Sequence, residues 1–598
     1  MNRRALLFAL CAGGSHVLSA QDLVVEKNLE ARMRDGVVLR ADVYRPATNG
    51  KLPALLQRTP YSKNPADSNS QYHRLARAGF VVVVQDTRGR YMSDGVAIPH
   101  DEGADGFDTV EWVATLPWVD GRVGMFGGSY SATTQLLAAP LRPPHLVALF
   151  PSASYASRYD MVFQGGAFYL MDGLSWNLGQ AQDVKRRRLT PAMSRDGELG
   201  LTPTQRRQLQ DEWLWALPLQ TVGGQGMSGD PANELRQYSP GYFDMLAHPS
   251  FDAWWHTFDV AARHREFDAP AYHLTGWYDA LLTGTLRNFS GLRRSARTDY
   301  ARRNQRLIVG PWTHARPSAS STRIGDVDYG PAAGFNSESL IVAWFRHWTS
   351  APSAAAAGVF PGAPVRLFVM GENRWRDEQE WPLARAQATA WYLTSDGTAN
   401  SAAGNGRLER SVGSAAPRDT FTYDPTRPVP TGSSGAYSRA PHDMREVEQR
   451  PDVLVYSTAP LVEPVEVTGY ITLRVWLSSS ARDTDLTARL VDVAPDGTAR
   501  ALTDGIQRAR YRNGRTTPEL LVPGQPTEIA IEVGATSNVF LPGHRIRVEV
   551  SSSNFPRYDR NPNTGDPFGA NARVQSARQI IHHEARYPSR LVLPVIPR

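Results

Sequence analysis

The sequence predicts a doubly wound α/β domain that carries a helical insertion, followed by an all-β domain. Three observations predict it. Short, continuous apolar runs alternate with amphipathic stretches up to residue 150 and again from residue 271, the pattern of strands buried on both faces between helices. Between those two regions lies a segment rich in Trp and Tyr, with helical periodicity and little strand signal. Beyond residue 364 the apolar residues alternate with polar ones, the period of half-buried strands.

In chain order, Val37–Tyr44 alternates and stops at Arg45-Pro46, a strand with its terminator. Leu52–Gln57 is a second strand, ending before Thr59-Pro60-Tyr61. Phe80–Val84 is a core strand entered through Gly79, and Asp108–Ala114 puts Val110, Val113 and Ala114 on one helical stripe. Val123–Phe126 is a core strand running into Gly127-Gly128-Ser129; Ser131–Ala139 resumes a helix and Leu146–Phe150 another strand. Strands return at Ala271–Thr275 and Leu307–Gly310, and Ser339–Trp348 closes the unit as a helix. Alternating runs follow at Val365–Met370, Val465–Leu477, Thr487–Val493, Ile529–Val533 and Arg545–Ser551. The expected division is a signal peptide at 1–20, a catalytic domain at 21–154 and 263–350, a helical cap at 155–262, a linker rich in Ser, Pro, Ala and Gly at 351–364, and a β domain at 365–598.

Composition narrows the function classes. With 41% hydrophobic residues, 21% charged residues and 15 Trp, the chain has ample surface to bury and is not disordered. Its net charge of +6 comes from 65 basic and 59 acidic residues. Nearly all the cations are Arg, spread along the chain and balanced by acids, which is not a nucleic-acid footprint. The single cysteine, Cys11, excludes a disulfide scaffold, a cysteine zinc site and an iron–sulfur cluster. It lies within Met1–Ala20, where Asn2-Arg3-Arg4, an apolar run from Ala5 to Ala12 and Leu18-Ser19-Ala20 form a secretory signal peptide. Eight apolar residues are too few to span a bilayer, and the Arg pair also fits a twin-arginine route. The expectation is a mature protein exported to the periplasm or beyond, with no membrane insertion. No metal-ligand pattern is present: there is no His-Glu-x-x-His, and Asp483, Asp485, Asp492 and Asp496 lack the spacing of a calcium cage and read as strand-edge solubility. His582-His583 reads as an exposed pair. No cofactor and no metal are expected.

The sharpest local signal is Gly127-Gly128-Ser129-Tyr130-Ser131 between a predicted core strand and a helix. A nucleophilic serine sits on such a strained turn in α/β hydrolases, with small residues where strand and helix approach. Gly127 holds the position two before the serine; Ser131 stands two after it. A serine needs a base, and the base an orienting acid, which in that fold follow at the ends of later strands. One strand runs into Gly276-Trp277-Tyr278-Asp279 and another into Gly310-Pro311-Trp312-Thr313-His314. Position and chain order make Asp279 and His314 the candidates.

Those segments, with Arg58-Thr59-Pro60-Tyr61, Gln85-Asp86-Thr87-Arg88-Gly89, the acids at Asp105–Asp108 and, near the C-terminus, Gly543-His544-Arg545 and Ser553-Asn554-Phe555, resemble the cocaine esterase and X-prolyl dipeptidyl peptidase-like serine hydrolases over residues 25 to 595. The resemblance implies an α/β-hydrolase fold with a helical cap insertion and a C-terminal all-β jelly-roll domain. It also implies Ser129 as nucleophile, His314 as base, Asp279 as its orienter, and an oxyanion hole from the Tyr61 hydroxyl and the Tyr130 backbone N–H. The implied partner is a small-molecule ester or amide. Trp176, Trp254, Trp255, Trp277 and Leu281 are the candidate pocket lining. Two departures stand out. Ala132 replaces a Gly common three residues after the serine. Ala280-Leu281-Leu282 replaces the paired acids with which relatives hold a substrate α-ammonium, and a buried ammonium without a carboxylate is costly. Ester hydrolysis is therefore favoured. The alternatives are an X-prolyl dipeptidyl aminopeptidase, a β-lactam acylase or α-amino acid ester hydrolase, and, from another class, a carbohydrate-binding surface protein with an inactive hydrolase domain.

Overall fold

The computed structural model describes residues 22–64, 69–97, 102–189, 201–222, 231–314, 317, 320–350, 358–412, 417–432 and 439–597, the side chains of 186–189 excepted. The expected signal peptide at 1–20 and half of the expected linker, 351–357, lie outside the described residues.

The catalytic half is built on one ten-stranded sheet. Its first strands are β1 (Leu23–Arg32), β2 (Val38–Pro46), β3 (Leu52–Thr59), β4 (Val81–Asp86), β5 (Val119–Gly128) and β6 (Leu146–Ser152). A short ribbon of β7 (Phe163–Gln164) and β8 (Ala167–Phe168) lies in the cap, and the sheet resumes with β9 (Ala271–Gly276) and β10 (Gln305–Gly310). A second ribbon, β11 (Arg323–Ile324) with β12 (Val327–Asp328), precedes β13 (Val365–Val369) and β14 (Arg374–Glu378). The strand order is β1-β2-β4-β3-β5-β6-β9-β10-β13-β14, antiparallel at both edges and parallel from β4 to β13. Every residue of β4, β9 and β10 is buried, which is why these segments read as unbroken apolar runs.

Helices α1 (Gln71–Arg77), α2 (Glu102–Ala114) and α3 (Tyr130–Ala138) are interleaved with those strands. The insertion contributes α4 (Arg158–Val162), α5 (Leu170–Leu189), α6 (Pro203–Asp211), α7 (Pro231–Tyr238), α8 (Gly241–Ala247) and α9 (Ala253–His256). Then come α10 (Leu282–Ser295), α11 (Asp299–Arg303) and α12 (Ser337–Ser350). α12 lays Trp344, Phe345 and Trp348 on the sheet, and the Trp344 N–H donates to the Leu149 carbonyl at 3.0 Å. Contact is so close at Gly124 that a Cβ there would stand 2.3 Å from Phe345. The cap has a core of its own around Tyr159, Phe163, Leu174, Trp213, Tyr242 and Trp255, joined by Phe555 of the C-terminal domain.

The C-terminal domain is an eleven-stranded assembly from Gln387 to Ile596, antiparallel except where Arg407–Glu409 meets Leu454–Ser457, with its longest pair at Val465–Ser479 and Thr527–Phe540. Three expectations are corrected here. Val365–Met370, expected in the β domain, instead supplies β13 of the catalytic sheet, paired in parallel with β10; alternation identifies a strand, whereas the sheet it joins is a non-local choice. His582 and His583 are buried, not exposed: the first meets Ser478 Oγ at 2.8 Å and the second Asp419 Oδ2 at 3.0 Å. Asp483, Asp485 and Asp492 are likewise buried, paired with Arg510, Arg508 and His544 respectively.

Arg508 is the hinge of one such network. It donates to Asp485 at 2.8 and 2.9 Å and to Asp559 at 2.9 Å, and Asp559 in turn accepts the Phe168 N–H of the cap at 2.7 Å. Removing a buried partner strands the opposite charge, at a cost of about 3–5 kcal/mol. Arg508→Met is therefore expected to lower the thermal midpoint by several degrees and to loosen the cap to limited proteolysis. A variant that melts and resists protease like the parent would show that this network does not join the two units.

Candidate active site

Strand β5 ends in Gly127-Gly128 and the chain turns at Ser129 into α3. Ser129 adopts φ 58° and ψ −122°, a region that side-chain-bearing residues avoid and that over-determined turns hold in place. Its N–H donates to the Ser152 carbonyl at 2.9 Å, and its own carbonyl accepts from Ala132 and Thr133 at 3.0 and 3.1 Å. Gly127 has φ 132°, and a Cβ there would stand 2.6 Å from Cβ of Ser131; the position two before the serine must be glycine. Tyr130 opens α3, so its N–H belongs to the first turn, whose amides have no partner within the helix.

Beyond β9, Asp279 is 3% exposed. Its Oδ1 accepts the Leu281 N–H at 2.8 Å and lies 2.9 Å from Nδ1 of His314. Main-chain bonds lock the two strand ends together: Trp277 donates to Gly310 at 2.8 Å and Tyr278 to Trp312 at 3.0 Å. A Cβ on Gly276 would stand 2.0 Å from the Trp312 carbonyl, and the Trp312 indole is pinned to the Ala333 carbonyl at 2.9 Å. Burial opposes charge on the His314 ring, but the Asp279 carboxylate, as a hydrogen-bond and charge partner, outweighs it with help from Asp172, and the imidazole is held above its ordinary pKa.

Tyr61 follows β3. Its N–H donates to Thr59 Oγ1 at 3.1 Å, and its hydroxyl accepts the Trp176 indole N–H from cap helix α5 at 3.2 Å. The Tyr130 ring stacks at 6.2 Å on Trp176 and its hydroxyl donates to Glu102 Oε1 at 2.6 Å. Glu102 Oε2 accepts from fully buried Arg58 at 2.8 Å, and Arg58 donates to Gln85 at 2.8 Å. Asp105 receives Arg88 at 2.6 and 3.0 Å, while Lys63 and Asp86 pair at 3.3 Å. The three N-terminal motifs thus converge beneath the two tyrosines.

Ser129, Asp279, His314, Tyr61 and Trp176 line one cavity of about 410 Å³. Ser129, Tyr61 and Trp176 also border a narrower one of about 80 Å³ that runs under the cap past Tyr130, Tyr155, Leu281 and Asp172. The structure therefore brings together Ser129, Asp279, His314, Tyr61, Tyr130, Trp176 and Leu281. It does not bring Trp254, Trp255 or Trp277 there. Trp255 is buried in the cap core with its N–H on the His248 carbonyl, and Trp254 stacks on the His248 ring at 4.9 Å, because an inserted unit spends its aromatics on its own core. Trp277 points toward β13, donating to the Phe368 carbonyl at 2.7 Å. Sequence reasoning missed Glu102 and Asp172. Glu102 lay just upstream of a motif that was recognised; Asp172 had a signal in its i, i+4 spacing to Trp176, one face of one helix. Among the described residues no three His, Cys, Asp or Glu side chains gather as a metal-ligand set, and no helix is long and apolar enough to cross a membrane.

Residues 35–316 match the model of the X-Pro dipeptidyl-peptidase (S15 family) and residues 358–592 that of the X-Pro dipeptidyl-peptidase C-terminal non-catalytic domain. The chain is 39% identical over 596 residues to the cocaine esterase of Rhodococcus sp. (strain MB1 Bresler), covering 96% of this chain and 99% of that protein. Among solved structures, an aminopeptidase from a marine sediment Thaumarchaeota archaeon superposes with a TM-score of 0.80 at 25% identity, covering 99% of each chain. An α-amino acid ester hydrolase shares the fold with a TM-score of 0.80 at 24% identity, over 99% of this chain and 100% of that one. With a full-length relative at that identity and both family models matched in tandem, the chain belongs to the X-Pro dipeptidyl-peptidase (S15) family and is a serine hydrolase of ester bonds, similar to cocaine esterase.

Proposed function

We propose that Ser129 attacks the ester carbonyl, that His314 takes its proton as general base, and that Asp279 orients and charges that imidazole. The acyl-enzyme on Ser129 is then released by water activated at the same histidine. The observation that carries this reading is the 2.9 Å contact between Asp279 and His314 Nδ1 in a cavity shared with a serine at a strained strand–helix turn. The Tyr130 N–H and the Tyr61 hydroxyl supply the oxyanion donors; accepting the Trp176 N–H polarises the phenol to give its own proton. His314 must protonate the departing alcohol, so the leaving group belongs in the wider cavity that His314 lines, and the acyl group in the narrower branch under the cap.

Carboxylic esters are the preferred substrates within this reading, and amides secondary. Ala280 and Leu281 present no carboxylate after Asp279, which speaks against dipeptide release from a free N-terminus. Export through the signal peptide at 1–20 is part of the same proposal, supported by its basic head, apolar run and small-residue exit.

Ser129→Ala is expected to lower p-nitrophenyl ester hydrolysis by about 10⁴–10⁶-fold and to abolish fluorophosphonate labelling; retained activity would remove Ser129 from the mechanism. Tyr61→Phe, which keeps the ring and loses the hydroxyl, should cost about 10²–10³ in kcat with little change in KM. Full turnover in that variant would leave Tyr61 without a role in the oxyanion hole.

The active imidazole is the neutral one. A pKa raised above 6.5 places the acid limb of the kcat/KM profile above that pH, with activity falling as pH drops through it. Asp279→Asn removes the main raising influence, so the residual activity should show its limb at lower pH. A limb that stays in place would exclude Asp279 as the group that sets it.

A further inference from the structure

Cap helix α5 carries Asp172 in its first turn and Trp176 one turn later, on the same face. Trp176 borders both cavities at Ser129, and Asp172 lines the narrower one. Four residues of helix separate the two by about 6 Å of rise, so Asp172 and the indole mark two separate points on the wall of that branch. Asp172 is 4% exposed; neither oxygen makes a well-formed hydrogen bond, and the uncharged Tyr169 hydroxyl is set beside it. A buried carboxylate so weakly partnered is expensive, and beyond its small share in raising the His314 imidazole the proposed acyl transfer makes no use of it.

The surroundings restrict what would satisfy it. Arg439 and Arg557 lower the cost of the Asp172 charge, but both are committed to Asp504. Arg158 lines the same branch and lies over the Phe258 ring at 5.1 Å. His314 and Tyr169 also favour the ionised form, yet burial dominates and pushes the carboxyl up to about 8. The rest of the wall is mainly apolar, with the rings of Tyr61, Tyr130, Tyr155 and Trp176 set among Met161, Val162, Met245 and Leu281. A carboxylate closing an aromatic-walled branch suits an organic cation, whose charge it neutralises while the ring faces meet its methyl or methylene groups.

We propose that Asp172 is the anionic end of an acyl-side subsite that takes a protonated or quaternary amine carried on the acid part of the ester. This rests on Ser129 being the nucleophile and the narrower branch the acyl side. It differs from recognition of an α-ammonium by acids in the loop after Asp279, where Ala280 and Leu281 stand: the carboxylate here comes from cap helix α5, and a short methylene spacer is expected to carry the cation to it.

The test uses an isosteric pair, the p-nitrophenyl esters of 4-(trimethylammonio)butanoate and 5,5-dimethylhexanoate, which differ only in N⁺ against C. Their kcat/KM ratio cancels the common titration of His314. In the parent enzyme the ratio of cationic to neutral ester should rise about tenfold from pH 6.5 to 9 as Asp172 ionises. In Asp172→Asn it should be flat with pH and about 10–100-fold lower at pH 8.5, chiefly through KM. A parent enzyme that favours the neutral ester at every pH would overturn the subsite. So would a variant with the parent's ratio, or one that only melts earlier, as loss of a helix N-terminal charge alone predicts. Should the variant not fold, the parent profile decides by itself. If neither ester turns over, the esterase reading fails separately, and calorimetric binding of the two methyl esters to the parent protein at pH 8.5 still reads the subsite.

Discussion

The geometry of the site depends on one buried cation. Arg58 leaves β3 with no solvent exposure and is held by Glu102 from α2 and Gln85 from β4. A lone buried guanidinium would be prohibitive; with its carboxylate and amide in place it becomes a clamp that fixes strand, strand and helix in one register. Glu102 spends its second oxygen on Tyr130, the residue that begins α3. The same side chain that steadies the sheet thus steadies the first peptide after Ser129, and the strand bearing Arg58 delivers Tyr61 three residues later. Tyr61 and the Tyr130 N–H, the proposed oxyanion donors, inherit their positions from the Arg58–Glu102 salt bridge.

The strained turn at Ser129 needs that support. Its backbone angles store energy that only a rigid frame can retain, and the frame is dense: Gly127 against Ser131, Gly124 against Phe345 and Gly276 against the Trp312 carbonyl all lack room for a methyl group. These glycines mark where strand, helix and loop backbones were brought closer than a side chain permits. On the far side, Asp279 and His314 hang from loops cross-bonded to one another, so the two side chains are held as a pair facing the serine's cavity.

Much of this was legible in the residues. The apolar runs at Phe80–Val84 and Val123–Phe126 identified core strands because burial on both faces leaves no alternation to misread. The turn at Gly127-Gly128-Ser129 was legible because its steric demand is local. The order Asp279 then His314 followed from where strands end. What resisted reading was non-local. Val365–Val369 looks like any half-buried strand, and nothing within it tells which sheet will accept it. His583 and Asp485 look like surface residues until Asp419 and Arg508 arrive from distant sequence to pair with them. Trp254 and Trp255 were plausible pocket walls by composition, yet the cap needed them to hold itself together. Asp172 was only half legible: its i, i+4 spacing to Trp176 places it on the same helix face, but its burial beside the cavity is a tertiary fact that no one-dimensional pattern records.

The Trp176 indole bridges the cap to the catalytic sheet through the Tyr61 hydroxyl while facing both branches of the cavity. Any tilt of α5 would carry that indole with it and disturb the Tyr61 hydroxyl. Divergence of this enzyme's substrate range is thereby channelled: the helix is tied to the chemistry and cannot wander, whereas the side chains hung from it one turn away are free to be exchanged. New specificities in this lineage should therefore arise by single replacements on a fixed scaffold, position 172 foremost, with the Trp176–Tyr61 contact left in place beneath them.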